Sequence, residues 1–295
     1  MRILWITLRA MRVHQWVKNL LIFVPVLMAF QVTSEGVVVR ALQAFISFSL
    51  MASGTYLFND LMDIESDRSH PTKKNRPFAS GALPLSVGYG MTPLLVLAGL
   101  GLGAMLSLRF LLVLIGYTVI TLGYSLRFKK IVLIDVLLLA GLYTWRMFAG
   151  SIATGISLSA WLLAFSMFIF FSLALLKRTS ELMEMKAQGR LGASGRGYHV
   201  DDLGQLMIFG SISGYIAVLV LALYINGENV RALYHRPEAL WLICPLFLYW
   251  ISRVWLIGHR GQMHSDPIVF AIRDRASYAV GALVLLILWI AHQGW

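Results

Sequence analysis

The sequence predicts an all-α polytopic membrane protein: nine transmembrane helices in a single domain over residues 1–295, amino terminus cytoplasmic, carboxyl terminus outside. Three observations predict it. The chain is 58% hydrophobic and only 13% charged, whereas soluble domains are about 45–50% apolar. Nine stretches approach the ~20 apolar residues that a bilayer crossing needs. Lysine and arginine, finally, gather in alternate connections between those stretches.

The first stretch, 16–34, follows Arg2, Arg9 and Arg12, and no small-residue cleavage site comes after its apolar run. It therefore reads as a retained span and not as a signal peptide. Residues 3–16 ahead of it read as an amphipathic helix at the interface. The other spans are 38–58, 86–106, 110–126, 132–152, 157–176, 206–226, 239–257 and 276–292. Cys244, the one cysteine, lies in the eighth and has no internal disulfide partner.

Twenty of the 25 cations fall in one set of connections, and only Arg40, Arg109, Arg231 and Arg236 in the other, with Arg146 inside a span. The positive-inside rule places the rich set in the cytoplasm. The net charge of +11 follows from that distribution, so nucleic acid is not needed to explain it. The cation-poor connections are short. The cation-rich ones, 59–85, 177–205 and 258–275, are longer and chemically varied, as loops that carry function are. Within them the Gly-rich tract 188–197 is a candidate lid.

The second span runs into an NDxxDxxxD pattern, Asn59, Asp60, Asp63 and Asp67. At about 100° per residue, the three carboxylates share one helical face within two turns. They would repel one another there unless cations sit between them, and carboxylates plus substrate phosphates are how Mg²⁺ is usually held. Asp60, Asp63 and Asp67 are thus candidate metal ligands. The segment KKNRPFASG follows, placing Lys73, Lys74 and Arg76 where a diphosphate could be gripped.

NDLMDIESD followed by NRPFASG resembles the first signature of the UbiA superfamily of intramembrane prenyltransferases. The second signature of that superfamily usually has two Asp four residues apart, but this chain reads YSLRFKKIVLIDVLLLA, with Asp135 and then Leu139. MRVHQWVKNLLIFVP, LALLKRTSELMEM with GRGYHVDDL, and MHSDPIVFAIRDR are similar to the decaprenyl-phosphate phosphoribosyltransferase branch. The resemblance implies a UbiA-type bundle and a Mg²⁺-dependent pentosyltransferase. That enzyme would move 5-phosphoribose from phosphoribosyl diphosphate (PRPP) to a polyprenyl (decaprenyl) phosphate, releasing diphosphate and supplying a lipid-linked precursor for arabinose donors. It further implies catalytic roles for Asp60, Asp63 and Asp135, and a bacterial inner-membrane location with the active site facing the cytoplasm. A homo-oligomer and the downstream epimerase are further candidate partners. Two rival readings are a prenyltransferase using prenyl diphosphate and an aromatic acceptor, which ought to show the missing second acid, and a membrane transporter.

Further candidates follow by position. Lys18 and Asn19, beside Trp16, suit capture of the lipid phosphate at the interface. Asn59 stands one turn before Asp63. Lys177, Arg178 and Glu181 lie at the cytoplasmic end of the sixth span, where Lys177 and Glu181 have i, i+4 spacing for an ion pair. Tyr124, Arg127, Lys129 and Lys130 border Asp135 and suit a ribose phosphate or diphosphate. Arg146, an ionisable residue within a span, is a functional candidate by default and should pair inside the bundle, line a deep cavity or snorkel outward. The histidines His14, His70, His199, His259 and His264 show no metal-ligand spacing.

Overall fold

The computed structural model describes residues 2–69, 73–189, 196–263, 266–271 and 273–293, and its elements are all helical. The expected lid tract 188–197 lies mostly outside the described residues, as do His70, Arg190 and His264. Among the described residues eight helices are long and apolar enough to cross a membrane, and the chain is an integral membrane protein.

Helix α1 (Arg2–Ala10) leads into a 3-10 helix, Val13–Phe23, and α2 (Val24–Met28). There follow α3 (Glu35–Met62), α4 (Ile64–Ser69), a 3-10 turn at Lys73–Asn75, α5 (Leu85–Leu106), α6 (Leu108–Leu126) and α7 (Ile134–Thr154). The remainder is α8 (Ala160–Ala187), α9 (Leu203–Ile225), α10 (Glu228–Leu233), α11 (Ile243–His259), α12 (Pro267–Ala271) and α13 (Arg275–His292). Eight of the expected spans coincide with long helices. The first does not: in place of a span over 16–34 there is the shorter apolar segment Val13–Met28, mostly 3-10. A 3-10 helix rises about 2.0 Å per residue, so this segment still extends about 30 Å.

The chain divides into two compact units. The first comprises Met1–Leu27, Gln31–Leu122 and Arg146–Ser157. Its frame is α3 packed on α5, where small residues let the backbones approach. Ser47 donates to the Gly99 carbonyl at 2.7 Å, and a Cβ on Gly54 would stand 2.8 Å from Val96. The amino-terminal segment is laced to α3: Trp16 Nε1 donates to Ser53 Oγ at 3.0 Å, which in turn donates to the Met11 carbonyl at 2.9 Å. Ala10, Met11, Leu57, Phe78 and Leu83 bury one core beneath this lacing.

The second unit comprises Met28–Phe30, Gly123–Trp145 and Leu158–Trp295. Its core is built on α8, α9 and α11, with Leu175, Leu176, Ile251 and Val254 buried. Ser172 donates to the Gly210 carbonyl at 2.6 Å and receives Trp255 Nε1 at 2.9 Å. Trp255 lies so close over Gly210 that a Cβ there would collide with its ring.

Candidate active site

In the first unit the carboxylates stand at the end of α3. The helix does not run on smoothly: Asp63 is a turn residue (φ −95°, ψ 7°), and α4 begins after it. Asp60 and Asp67 turn inward and are 3% and 2% exposed, while Asp63 is exposed. One guanidinium nitrogen joins the inward pair, Arg76 Nη1 standing 2.7 Å from Asp67 Oδ2 and 3.1 Å from Asp60 Oδ1. Arg12 Nη2 reaches the same Asp60 oxygen at 2.6 Å, and its guanidinium lies 4.8 Å from the Tyr56 ring centroid. Arg12 occupies the left-handed region (φ 52°), an uncommon conformation for a residue with a side chain. A cavity of about 320 Å³ opens here, lined by Arg9, Arg12, His14, Gln15, Asp60, Lys73, Asn75, Arg76 and Pro77. Its wall is cationic and polar, with Pro77 the one apolar side chain among those residues.

In the second unit a different carboxylate is enclosed. Asp135 has no solvent exposure, Arg178 and Tyr198 almost none. Arg178 Nε donates to Asp135 Oδ2 at 2.6 Å, Nη1 to Glu181 at 2.5 Å and Nη2 to the Tyr124 hydroxyl at 3.2 Å. The Tyr198 hydroxyl donates to the other Asp135 oxygen and accepts the Leu133 N–H at 2.9 Å. Burial, then the bond to Asp135, push the Tyr198 phenol well above its ordinary pKa. Leu133 sits at φ 63°, and a Cβ on Gly197 would meet the Lys130 carbonyl at 3.1 Å. The 196–199 segment therefore clamps closely on the loop before α7. Glu181, which also pairs with Arg196, is the partly exposed end of this network.

A model of the UbiA prenyltransferase family matches residues 20–190, more than half of the chain. The chain belongs to that family. A protein of Sinorhizobium fredii, y4nM, is 37% identical over 94% of this chain but 54% of its own length, so this chain spans about half of that relative. The nodulation protein NoeC of Azorhizobium caulinodans is 35% identical over 91% of this chain and 87% of its own. The decaprenyl-phosphate phosphoribosyltransferase of Mycobacterium tuberculosis is 35% identical over 97% and 92%. Among solved structures, a UbiA homolog from Archaeoglobus fulgidus bound to GPP and Mg²⁺ superposes with a TM-score of 0.71 at 18% identity, covering 97% of this chain and 99% of that one. That likeness shows the UbiA fold.

Within this UbiA chain the sequence-derived candidates fall into three groups. Asp60, Asp67, Lys73 and Arg76 line or support the cationic cavity, whereas Asp63 faces solvent. Asp135, Arg178, Glu181 and Tyr124 meet in the enclosed network, with Arg127 and Lys130 exposed beside it. The expected Lys177–Glu181 pair is replaced: Lys177 pairs with Asp266 at 2.9 Å, because Glu181 is turned toward Arg178 and Arg196. Arg146 pairs inside the bundle, Nε to Asn19 Oδ1 at 2.9 Å and Nη2 to the Tyr117 hydroxyl at 2.5 Å, and Asn19 donates on to Ser49 at 3.0 Å. This network buries Arg146 and Asn19 together. Arg9, Arg12, Arg196 and Tyr198 are among the site residues that sequence reasoning missed.

The donor set beside the cavity fits a hard divalent cation. Asp60 and Asp67 bring two buried carboxylates onto one point of positive charge, the position now held by Arg76 Nη1. Among the described residues no three His, Cys, Asp or Glu gather into a complete metal cage. A bound ion would draw the rest of its shell from water and substrate oxygens, as Mg²⁺ commonly does.

Proposed function

We propose that this UbiA enzyme transfers the 5-phosphoribosyl group of PRPP to a polyprenyl phosphate on the cytoplasmic face of a bacterial inner membrane. The observation that carries the reading is the cavity at Asp60. Four cationic side chains, Arg9, Arg12, Lys73 and Arg76, with Pro77 the one apolar residue type among those lining it, suit an anionic diphosphate better than a prenyl chain. The mycobacterial relative named for this activity supports the same choice.

In the reaction the bond from ribose C1 to the diphosphate oxygen breaks, an oxygen of the lipid phosphate bonds to C1, and diphosphate leaves with the bonding pair. The acceptor is already anionic, so no strong general base is needed. Mg²⁺ held by Asp60 and Asp67 would supply charge neutralisation at the departing diphosphate. Lys73 and Arg76 hold the diphosphate in place, Arg as a planar fork and Lys as a point charge. Lys18 meets the lipid phosphate at the interface. Asp135 acts by positioning, because both of its oxygens are engaged: it fixes Arg178 and, through Arg178, Glu181, the partly exposed end of that network. A single in-line displacement inverts the configuration at C1.

The test is to incubate purified protein in detergent with Mg²⁺, polyprenyl phosphate and radiolabelled PRPP, and to follow label into the organic phase. Lipid-borne label that disappears with chelator is expected, and Asp60→Asn should reduce it at least a hundredfold, the order seen when a catalytic charge-stabilising group is removed. No label, together with consumption of prenyl diphosphate in a parallel aromatic-acceptor assay, would overturn the proposal.

A further inference from the structure

We propose that Arg12 is a further diphosphate-binding residue, parked on Asp60 until a divalent cation takes that carboxylate and frees the guanidinium for the donor's phosphates. This rests on the reading above only in requiring a donor that carries a diphosphate.

Asp60 Oδ1 accepts from two guanidinium groups at once, Arg12 at 2.6 Å and Arg76 at 3.1 Å. A hard cation binding that oxygen must displace at least one of them. Arg76 retains Asp67, its shorter contact at 2.7 Å. Arg12 has Asp60 as its one ion-pair partner among the described residues, so Arg12 is the group that leaves.

The geometry prepares it to do so. The backbone at Arg12 is fixed on both sides, because the Met11 carbonyl is held by Ser53 Oγ and Trp16 holds the same hydroxyl. Side-chain torsions alone then redirect the charge. The guanidinium already lies over the Tyr56 ring, a face on which a cation can slide while keeping its attraction. Its side chain is 27% exposed and lines the cationic cavity beside Arg9 and Lys73.

Charge balance gives the exchange its direction. Arg12 and Arg76 offset the charges of Asp60 and Asp67 through these ion pairs. A dication arriving alone adds two positive charges to an already cationic wall. A diphosphate arriving with it restores the balance, and a freed guanidinium offers the paired donors that match phosphate oxygens. Cation and diphosphate should therefore bind cooperatively, with Arg12 opposing the first and assisting the second.

The decisive experiment measures two affinities on the detergent-solubilised full chain: that of Mn²⁺ alone, from its free-ion resonance, and that of inorganic diphosphate at saturating Mn²⁺. For Arg12→Gln, Mn²⁺ should bind roughly tenfold tighter and diphosphate roughly tenfold weaker, the scale of one charge-assisted hydrogen bond in each case. Arg12→Lys, which keeps the charge but not the fork, should leave Mn²⁺ within about threefold of the parent on the scale of an exposed ion pair and still weaken diphosphate. Arg253→Gln, at an ion pair with Asp274, should change neither. Opposite signs for the two probes are the signature. Equal changes, changes of the same sign, or none would show Arg12 to be a structural contact and would overturn the proposal. If Arg12→Gln does not fold, Arg12→Lys decides: unchanged diphosphate binding overturns it. Inorganic diphosphate is common to ribosyl and prenyl donors, so failure of ribosyl transfer leaves both signs intact.

Discussion

Asp60 and Asp135 are the same side chain put to different uses by their surroundings. Asp60 opens onto a cationic cavity. Asp135 is closed off, its two oxygens spent on Arg178 and Tyr198. The acidic pattern at 59–67 makes the first legible in the sequence, and with it Lys73 and Arg76. Asp63 stands apart from Asp60 and Asp67 because α3 ends at it, a break that helical periodicity does not show. Arg12 is hidden because one more arginine ahead of a first span looks like any positive-inside charge, and its left-handed backbone leaves no mark in composition. Tyr198 is hidden for a related reason: what buries it is the clamp of 196–199 on the loop before α7. Tyr198→Phe removes a donor from Asp135 and an acceptor from the Leu133 N–H, both inside the protein. An unsatisfied buried polar group costs about 1–3 kcal/mol, so this variant should unfold several degrees lower in a thermal melt in detergent. A melting temperature equal to the parent's would mean that these bonds contribute nothing net.

At the scale of elements, apolar runs marked eight helices, most of them to within a few residues, with the second and sixth spans running further into the charged signatures, to Met62 and Ala187, than hydropathy suggests. The first element escaped because hydropathy cannot distinguish a 3-10 from an α rise, and Val13–Phe23 is 3-10. Glycines that read as neutral in the sequence turn out to be contact points, as Gly210 is beneath Trp255. The start of α13 shows how one residue sets an element boundary. Asp274 caps it, accepting the Ser277 N–H at 2.9 Å, and receives Arg253 through both guanidinium nitrogens at 2.7 and 3.0 Å. Burial alone would raise the Asp274 pKa, but the donors from Arg253 and Ser277 outweigh it and hold the carboxyl below its ordinary 3.8. A carboxyl depressed by folding stabilises the protein above its unfolded pKa and loses that contribution as pH falls through the folded value. The gap in melting temperature between the parent and Asp274→Ala should thus be constant above about pH 5, reflecting roughly 1 kcal/mol of lost capping, and should narrow below pH 4. A gap that widens with acid would contradict the sign.

For the whole molecule, the bilayer is the solvent that makes the surface intelligible. Leu97, Met105, Leu108, Leu112 and Leu219 are each at least 60% exposed on spanning helices, which would be untenable in water and is expected against lipid. The cation asymmetry, 20 of 25 in one set of connections, then makes orientation testable. In a Cys244→Ser background, Lys74→Cys reports on the connection after α4, Arg109→Cys on the start of α6, and Leu8→Cys and Gln293→Cys on the two ends. A membrane-impermeant maleimide applied to intact spheroplasts should label positions 109 and 293 and spare 8 and 74 until the cells are opened. The pair 8 and 293 decides parity: opposite sides require that the short segment Val13–Met28 crosses the bilayer as a ninth span, as its length of about 30 Å would allow. The same side would leave eight crossings and turn that segment into a re-entrant or interfacial one. Labelling of 74 with protection of 109 would carry a heavier consequence, because it would put the Asp60 cavity on the outer face, away from a phosphorylated sugar made inside the cell. Ribosyl transfer would then lose its donor, whatever the cavity's charge.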